Sequence, residues 1–190
     1  AFRPQFAVLP ASDGVVQPYA DSPLDEEPVA ETVYLDILAQ AQQYVYFYTP
    51  YLAIGEEMLD ALRNAAKRGV DVRLVLPGIP DKKLVYSVTR SFYNSLVRNG
   101  VRIYEWTPGF LHAKMSVADD RMATCGTINL DYRSLYHHFE NGCFMADCEA
   151  VMDIKADFEK TFTECREVTE KYKTGRSASL RLWQLFLRLF

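Results

Sequence analysis

The chain has 190 residues, of which 49% are hydrophobic, 24% charged and 13% aromatic, with 9 Gly and 9 Pro. That composition excludes a disordered, collagen-like or coiled-coil chain, and the length suits one globular domain with a sizeable core. The net charge of −4 is uneven. Residues 1–170 hold 16 Lys and Arg against all 25 Asp and Glu, a balance of −9; residues 171–190 hold Lys171, Lys173, Arg176, Arg181 and Arg188 and no acid, a balance of +5. An acidic body argues against a nucleic-acid partner, whose footprint is a basic face, while a basic end permits contact with an anionic membrane surface. The start at Ala1, without Met, points to a processed chain or an excised piece. No signal peptide is visible, and no run of 18 or more apolar residues spans a bilayer.

Phe6–Leu9 is strand-like, and Ala11–Pro28, rich in Pro, Asp, Ser and Gly, reads as a loop carrying the acidic run Asp25-Glu26-Glu27. Glu31–Gln43 has helical spacing through Val33, Tyr34, Ile37, Leu38 and Ala41, and Tyr44–Tyr48 is a strand ended by Thr49-Pro50. Glu56–Arg68 repeats the helical period, with acids in its first turn, Lys67 and Arg68 in its last, and Gly69 as a stop. Val70–Leu76 is a strand, Asp81–Asn99 a helix stopped by Gly100, and Val101–Glu105 a strand. Three helix–strand pairs with short connections predict an α/β layered α-β-α sandwich with a mixed, largely parallel central sheet, whose sites collect at the carboxyl ends of strands.

After Trp106 come short strands, Ala113–Ala118, Met122–Cys125 and Phe139–Ala146, suited to antiparallel addition, with Asp119-Asp120-Arg121 as a tight hairpin turn. Glu149–Thr169 is a final helix. Tyr34, Tyr44, Tyr46, Phe47 and Tyr48 read as core aromatics. Cys125, Cys143, Cys148 and Cys165 include no Cys-x-x-Cys pair, and the first two lie in stretches that read as buried strands. All four read as free core thiols of a reducing compartment.

One constellation carries chemistry: His112-Ala-Lys114, then Asp119, then Gly126-Thr127-Ile-Asn129, a spacing of His-x-Lys-x4-Asp-x6-Gly-Thr-x-Asn. A neutral imidazole attacks phosphorus or passes a proton. On a strand, Lys114 projects from the same face as His112, because side chains alternate. Lys114, Thr127 and Asn129 are donors for phosphate oxygens, and Gly126 lets the backbone approach a substrate.

This pattern resembles the catalytic motif of the phospholipase D superfamily. The block Asn129-Leu130-Asp131-Tyr-Arg133-Ser134 with Phe139-Glu140 is similar to the one that follows the motif in bacterial cardiolipin synthases. Thr49-Pro50-Tyr51, Leu59–Leu62, Gly69–Arg73, Leu76-Pro77-Gly78, Asp81–Tyr86 and Pro108–Leu111 are similar to the second half of those enzymes, so the likeness covers about residues 6–190. The resemblance implies a transfer of a phosphatidyl group between phosphatidylglycerol molecules through a phosphohistidine, giving cardiolipin and glycerol without a metal or other cofactor. It implies that His112 is one of two histidines, here the acid/base by preference, that Lys114, Thr127 and Asn129 hold phosphate, that Asp119 supports the architecture, and that Glu140 orients His112. Thr127 stands where the family commonly has Ser, and His138 where it commonly has Asn; with His137 this makes a rival histidine pair lacking the following Lys.

Only one such motif is present, so the two-histidine chemistry requires a second motif-bearing half, in the same full-length chain or by dimerisation. Residues 1–170 then form the catalytic half-domain, with 1–30 as leading strand and acidic loop. Residues 171–190 form a basic tail whose Leu180–Phe190 places Arg181, Gln184 and Arg188 on one helical face, suited to lie on a membrane through residues 176–190. The implied setting is the cytoplasmic face of a bacterial cell membrane. The alternatives are a homodimeric phosphodiesterase or nuclease of the superfamily, and a non-catalytic lipid-binding module.

Overall fold

The computed structural model describes residues 13–25 and 27–174. The predicted strand Phe6–Leu9 and the tail 176–190 lie outside the described residues. The elements run β1 (Val15–Asp21), α1 (Val29–Gln40), β2 (Tyr44–Tyr48), β3 (Leu52–Ala53), α2 (Glu56–Lys67), β4 (Asp71–Pro77), α3 (Lys83–Val97), β5 (Arg102–Trp106), β6 (Met115–Ala118), β7 (Met122–Gly126), β8 (Leu130–Asp131), α4 (Tyr132–His137), β9 (Glu140–Ala146), α5 (Glu149–Glu164), β10 (Arg166–Glu167) and α6 (Thr169–Lys173). Among the described residues, eight strands form one sheet in the order β1-β9-β7-β6-β2-β4-β5-β10. The pairs β2–β4 and β4–β5 are parallel, and every other neighbouring pair in this sheet is antiparallel. The sheet is therefore mixed as expected, but its parallel part is confined to the three helix–strand units. β6 and β7 are antiparallel because a tight turn, too short for a crossover, joins them, and β9 then pairs antiparallel with β7 after the segment that carries β8 and α4.

Alternation along β2 builds both layers. Val45 and Phe47 face the cluster formed with α1, α2, α3 and α6, while Tyr44, Tyr46 and Tyr48 face the cluster formed with α5. All five are buried, as is Tyr34, so the aromatic run is core. Each such burial contributes about 1.5–3 kcal/mol. Phe158 of α5 stacks on Tyr48 with centroids 3.8 Å apart and planes 9° apart.

Four local readings differ. The predicted loop before Pro28 contains β1, an edge strand whose mostly exposed residues offer no apolar alternation, and whose edge position tolerates Pro18. The final helix stops at Glu164, because Arg166 and Glu167 pair with the edge of β5; Arg166 and Arg90 both bind the fully buried Glu105 carboxylate at 2.6 Å. Helix α4 was not anticipated; Asp131 caps it by accepting from the Ser134 N–H at 2.8 Å. Cys125 is exposed rather than buried, at the end of β7 beyond the cover of α5, though all four cysteines are free.

Gly126 faces Gly142 across the β7–β9 ladder. A Cβ there would run into the Asn141 carbonyl and lie 2.8 Å from the Gly142 Cα. The neighbouring strand by itself requires glycine at this position. Gly126→Ala is expected to cost about 2 kcal/mol or more, a fall of roughly 5 °C in the thermal midpoint, whereas Gly55→Ala, with nothing within 4 Å of the new Cβ, changes stability by less than about 1 kcal/mol. Thermal unfolding followed by circular dichroism checks both.

Candidate active site

β6 runs antiparallel to β2, with Met115 opposite Tyr48 and Ala118 opposite Val45. The start of β6 therefore lies at the carboxyl end of β2. β7 ends there at Gly126, and β9 begins there at Glu140, opposite Asp21. His112, Lys114, Thr127, Asn129 and Glu140 thus gather at one end of the sheet, on segments brought there by antiparallel pairing. His112 and Lys114 precede β6 rather than lying on it; the ladder still reaches Lys114, whose carbonyl accepts from the Gly126 N–H at 3.2 Å.

Asp119 lies at the other end of β6, about 16 Å away for five residues of strand. Its carboxylate accepts from the N–H groups of Gln42 at 2.7 Å and of Gln43 and Tyr44 at 2.9 Å. Asp119 and Asp120 have φ of 53° and 59°, the left-handed pair of a tight hairpin turn, as the sequence predicted. Asp119 is an anchor of the scaffold, remote from the other motif residues.

Lys114 is 8% exposed, and its ammonium donates to the His112 carbonyl at 2.6 Å. Burial pushes its pKa below the usual 10.5, and the charges of Glu140 and Asp131 oppose that fall. His112 is exposed, its ring 6.0 Å from that of Phe110. Glu140 accepts from the hydroxyl of Thr127 through one oxygen and from the hydroxyl of Ser134 through the other, the latter at 2.6 Å. The Ser134 hydroxyl also accepts from the Asn129 N–H at 2.9 Å. Thr127 donates its N–H to the Asn141 carbonyl at 2.9 Å. The Asn129 side-chain oxygen is buried with no hydrogen-bond partner among the described residues.

His138 sits with Nδ1 3.5 Å from Glu140, beside the carboxylate, and His137 packs near the exposed Tyr132 ring at 5.4 Å. Ser134, 1% exposed, joins Asn129 to Glu140 and was not singled out for the site from sequence. Its signal is the Asp131 cap three residues earlier, which folds Ser134 back under the loop. Thr49 completes the support: its hydroxyl accepts from the Leu130 N–H at 3.0 Å and donates to the Tyr51 carbonyl at 2.7 Å, beside the parallel β3–β8 pair.

The fold is that of the phospholipase D superfamily. It matches Nuc of Salmonella typhimurium, a phospholipase D family member, with a TM-score of 0.68 over 80% of this chain and 97% of that one at 17% identity. It matches phosphatidylserine synthase of Haemophilus influenzae with a TM-score of 0.69 over 92% of this chain and 45% of that one at 16% identity. Within the superfamily, residues 34–162 match the family described as "Cardiolipin synthase, PLD-like domain", and the chain belongs to that family. It is 34% identical to a cardiolipin synthase of Geobacillus sp. over 93% of its own length and 35% of the relative's. It is 51% identical over 178 residues to an uncharacterized protein of Streptococcus mutans, covering 94% of this chain and 39% of that one. The chain spans less than half the length of these relatives.

Two outcomes follow from the site. Asp119→Ala removes three hydrogen bonds and puts Ala at a left-handed φ. It is expected to cost about 3 kcal/mol or more in denaturant unfolding. The phosphate-binding role expected of Lys114 needs its ammonium form, so under that role activity falls as pH rises through its lowered pKa. Glu140→Gln removes a charge that raises that pKa, and the alkaline limb of kcat/KM moves to lower pH; an unmoved limb refutes the coupling.

Proposed function

We propose that this chain is the second catalytic half of a cardiolipin synthase, acting on phosphatidylglycerol at the cytoplasmic face of a bacterial membrane. The observation that carries the reading is the gathering of His112, Lys114, Thr127, Asn129 and Glu140 at one end of the sheet, in a chain of the cardiolipin synthase family. In this reading a histidine of the other half attacks the phosphorus of one phosphatidylglycerol. The P–O bond to glycerol breaks, and His112 donates the proton that the leaving glycerol oxygen takes up. His112 then accepts a proton from a hydroxyl of a second phosphatidylglycerol, whose oxygen attacks the phosphohistidine. Cardiolipin forms and the histidine is released. Lys114 and the Asn129 amide hold the phosphate oxygens; Glu140, expected to orient His112, bonds through its two oxygens to the hydroxyls of Thr127 and Ser134 with His138 beside it, so Thr127 supports the carboxylate rather than the phosphate. The basic end, residues 176–190, serves as a contact with the membrane. Among the described residues no helix is long and apolar enough to cross a membrane.

A second reading pairs two copies of this chain, and the near-complete coverage of Nuc favours it: a solved chain of similar extent carries the same fold. The acidic body of this chain weighs against a nucleic-acid substrate.

The test is incubation of the intact protein with phosphatidylglycerol and mass spectrometry of the products. Cardiolipin with an equal amount of glycerol is the expected result. Phosphatidic acid alone makes the protein a hydrolase and overturns the transferase reading. His112→Ala is expected to lower turnover by about a thousandfold or more with an unchanged thermal midpoint, since the side chain is exposed.

A further inference from the structure

Exposed apolar side chains are unevenly distributed over the described residues. Leu24, Ile79, Leu84, Phe110, Tyr132 and Phe139 all lie on loops or first turns at the end of the sheet that carries His112. The remaining large ones, Val15, Val16 and Met152, lie toward the opposite end, where the turns are polar: Arg121 pairs with Asp147 at 3.1 Å beside Gln40, Gln42 and Gln43. The motif end is thus the apolar end.

The connection from β4 to α3 is the clearest part of it. Residues 79–84 are all exposed, with Ile79 at 45% and Leu84 at 67%, and Lys82 and Lys83 stand between them. None of the ion pairs among the described residues involves either lysine within 4 Å. The first turn of α3 has no acid, so both cations add to the positive end of the helix rather than compensate it. The one adjacent carboxylate, Asp81, accepts from the Tyr51 hydroxyl at 2.5 Å and from the Lys82 N–H at 2.6 Å. Tyr51 lies 6.4 Å from Phe110, whose ring lies 6.0 Å from His112. The loop is therefore continuous with the catalytic histidine.

We infer that the β4–α3 loop is a membrane-docking surface: Ile79 and Leu84 enter the headgroup region of an anionic bilayer while Lys82 and Lys83 hold its phosphates. The mixture of apolar side chains and cations is what an anionic interface selects, and a neutral or purely polar surface does not match it. The inference rests on the phospholipid reading, because docking at this end brings His112 to the headgroup level. It assigns membrane contact to a part of the catalytic body, separate from the basic tail.

The test places a tryptophan in the loop of the intact protein, Leu84→Trp, with Met152→Trp at the opposite end as control. The probe is a vesicle of equal parts phosphatidylglycerol and brominated phosphatidylcholine, and fluorescence is read against the parent protein, which carries Trp106 and Trp183. Leu84→Trp is expected to shift to shorter wavelength and be quenched, and Met152→Trp is not. Adding Lys82→Gln and Lys83→Gln is expected to raise the lipid concentration for half quenching about 30-fold. An unquenched Leu84→Trp, equal quenching at Met152→Trp, or equal quenching on vesicles without phosphatidylglycerol overturns the inference. So does Leu84→Trp emission that is already short in wavelength without lipid, the mark of a protein covering the loop. Cardiolipin formation is measured in the same samples. Turnover without quenching refutes the surface and leaves the proposed function standing; quenching without turnover supports the surface and refutes the function.

Discussion

The carboxylate of Asp119 holds three successive backbone N–H groups, and the placement of the site depends on it. Those groups belong to Gln42, Gln43 and Tyr44, the approach to β2. By binding them from the turn after β6, Asp119 fixes the register of β6 on β2. A shift of one residue would turn every side chain of β6 to the other face. Lys114 would then leave the site although none of its own contacts had been altered. The only acid of the motif thus acts at a distance, through a ladder whose spacing transmits the position of one end to the other.

At the other end, polar groups are held by a small network around Glu140. Its two oxygens engage Thr127 and Ser134, and Ser134 in turn fixes the backbone of Asn129. The same carboxylate opposes the loss of charge that burial imposes on Lys114. A buried cation and a buried anion near each other, each bonded to neutral partners, keep the site charged without closing it by a direct ion pair.

The layered α/β fold was legible because hydrophobic period and stop signals agree: Tyr44–Tyr48 is a strand with the predicted bounds, and Gly69 and Gly100 take the positive φ that ends their helices. The motif was legible because its residues are close in sequence. What escaped was set by partners far along the chain. β1 has few buried side chains and exists through its pairing with β9, and β10 exists because Glu105 is buried and needs Arg166. Gly126 pointed to a substrate in the sequence, while the atoms crowding it belong to Asn141 and Gly142. Ser134 became visible only once α4 folded it beneath Glu140.

The pairing of β1 with β9 also bears on how the molecule is made. Val15 meets Ala146 and Asp21 meets Glu140, contacts between the beginning of the chain and its last third. Closing so long a loop is entropically slow, and no ribosome-bound chain has both strands until β9 has emerged. The helix–strand units from α1 to β5 are local and fold as they appear. The edge that carries Glu140 is completed only once β9 has been made, so the helix–strand scaffold precedes the formed site.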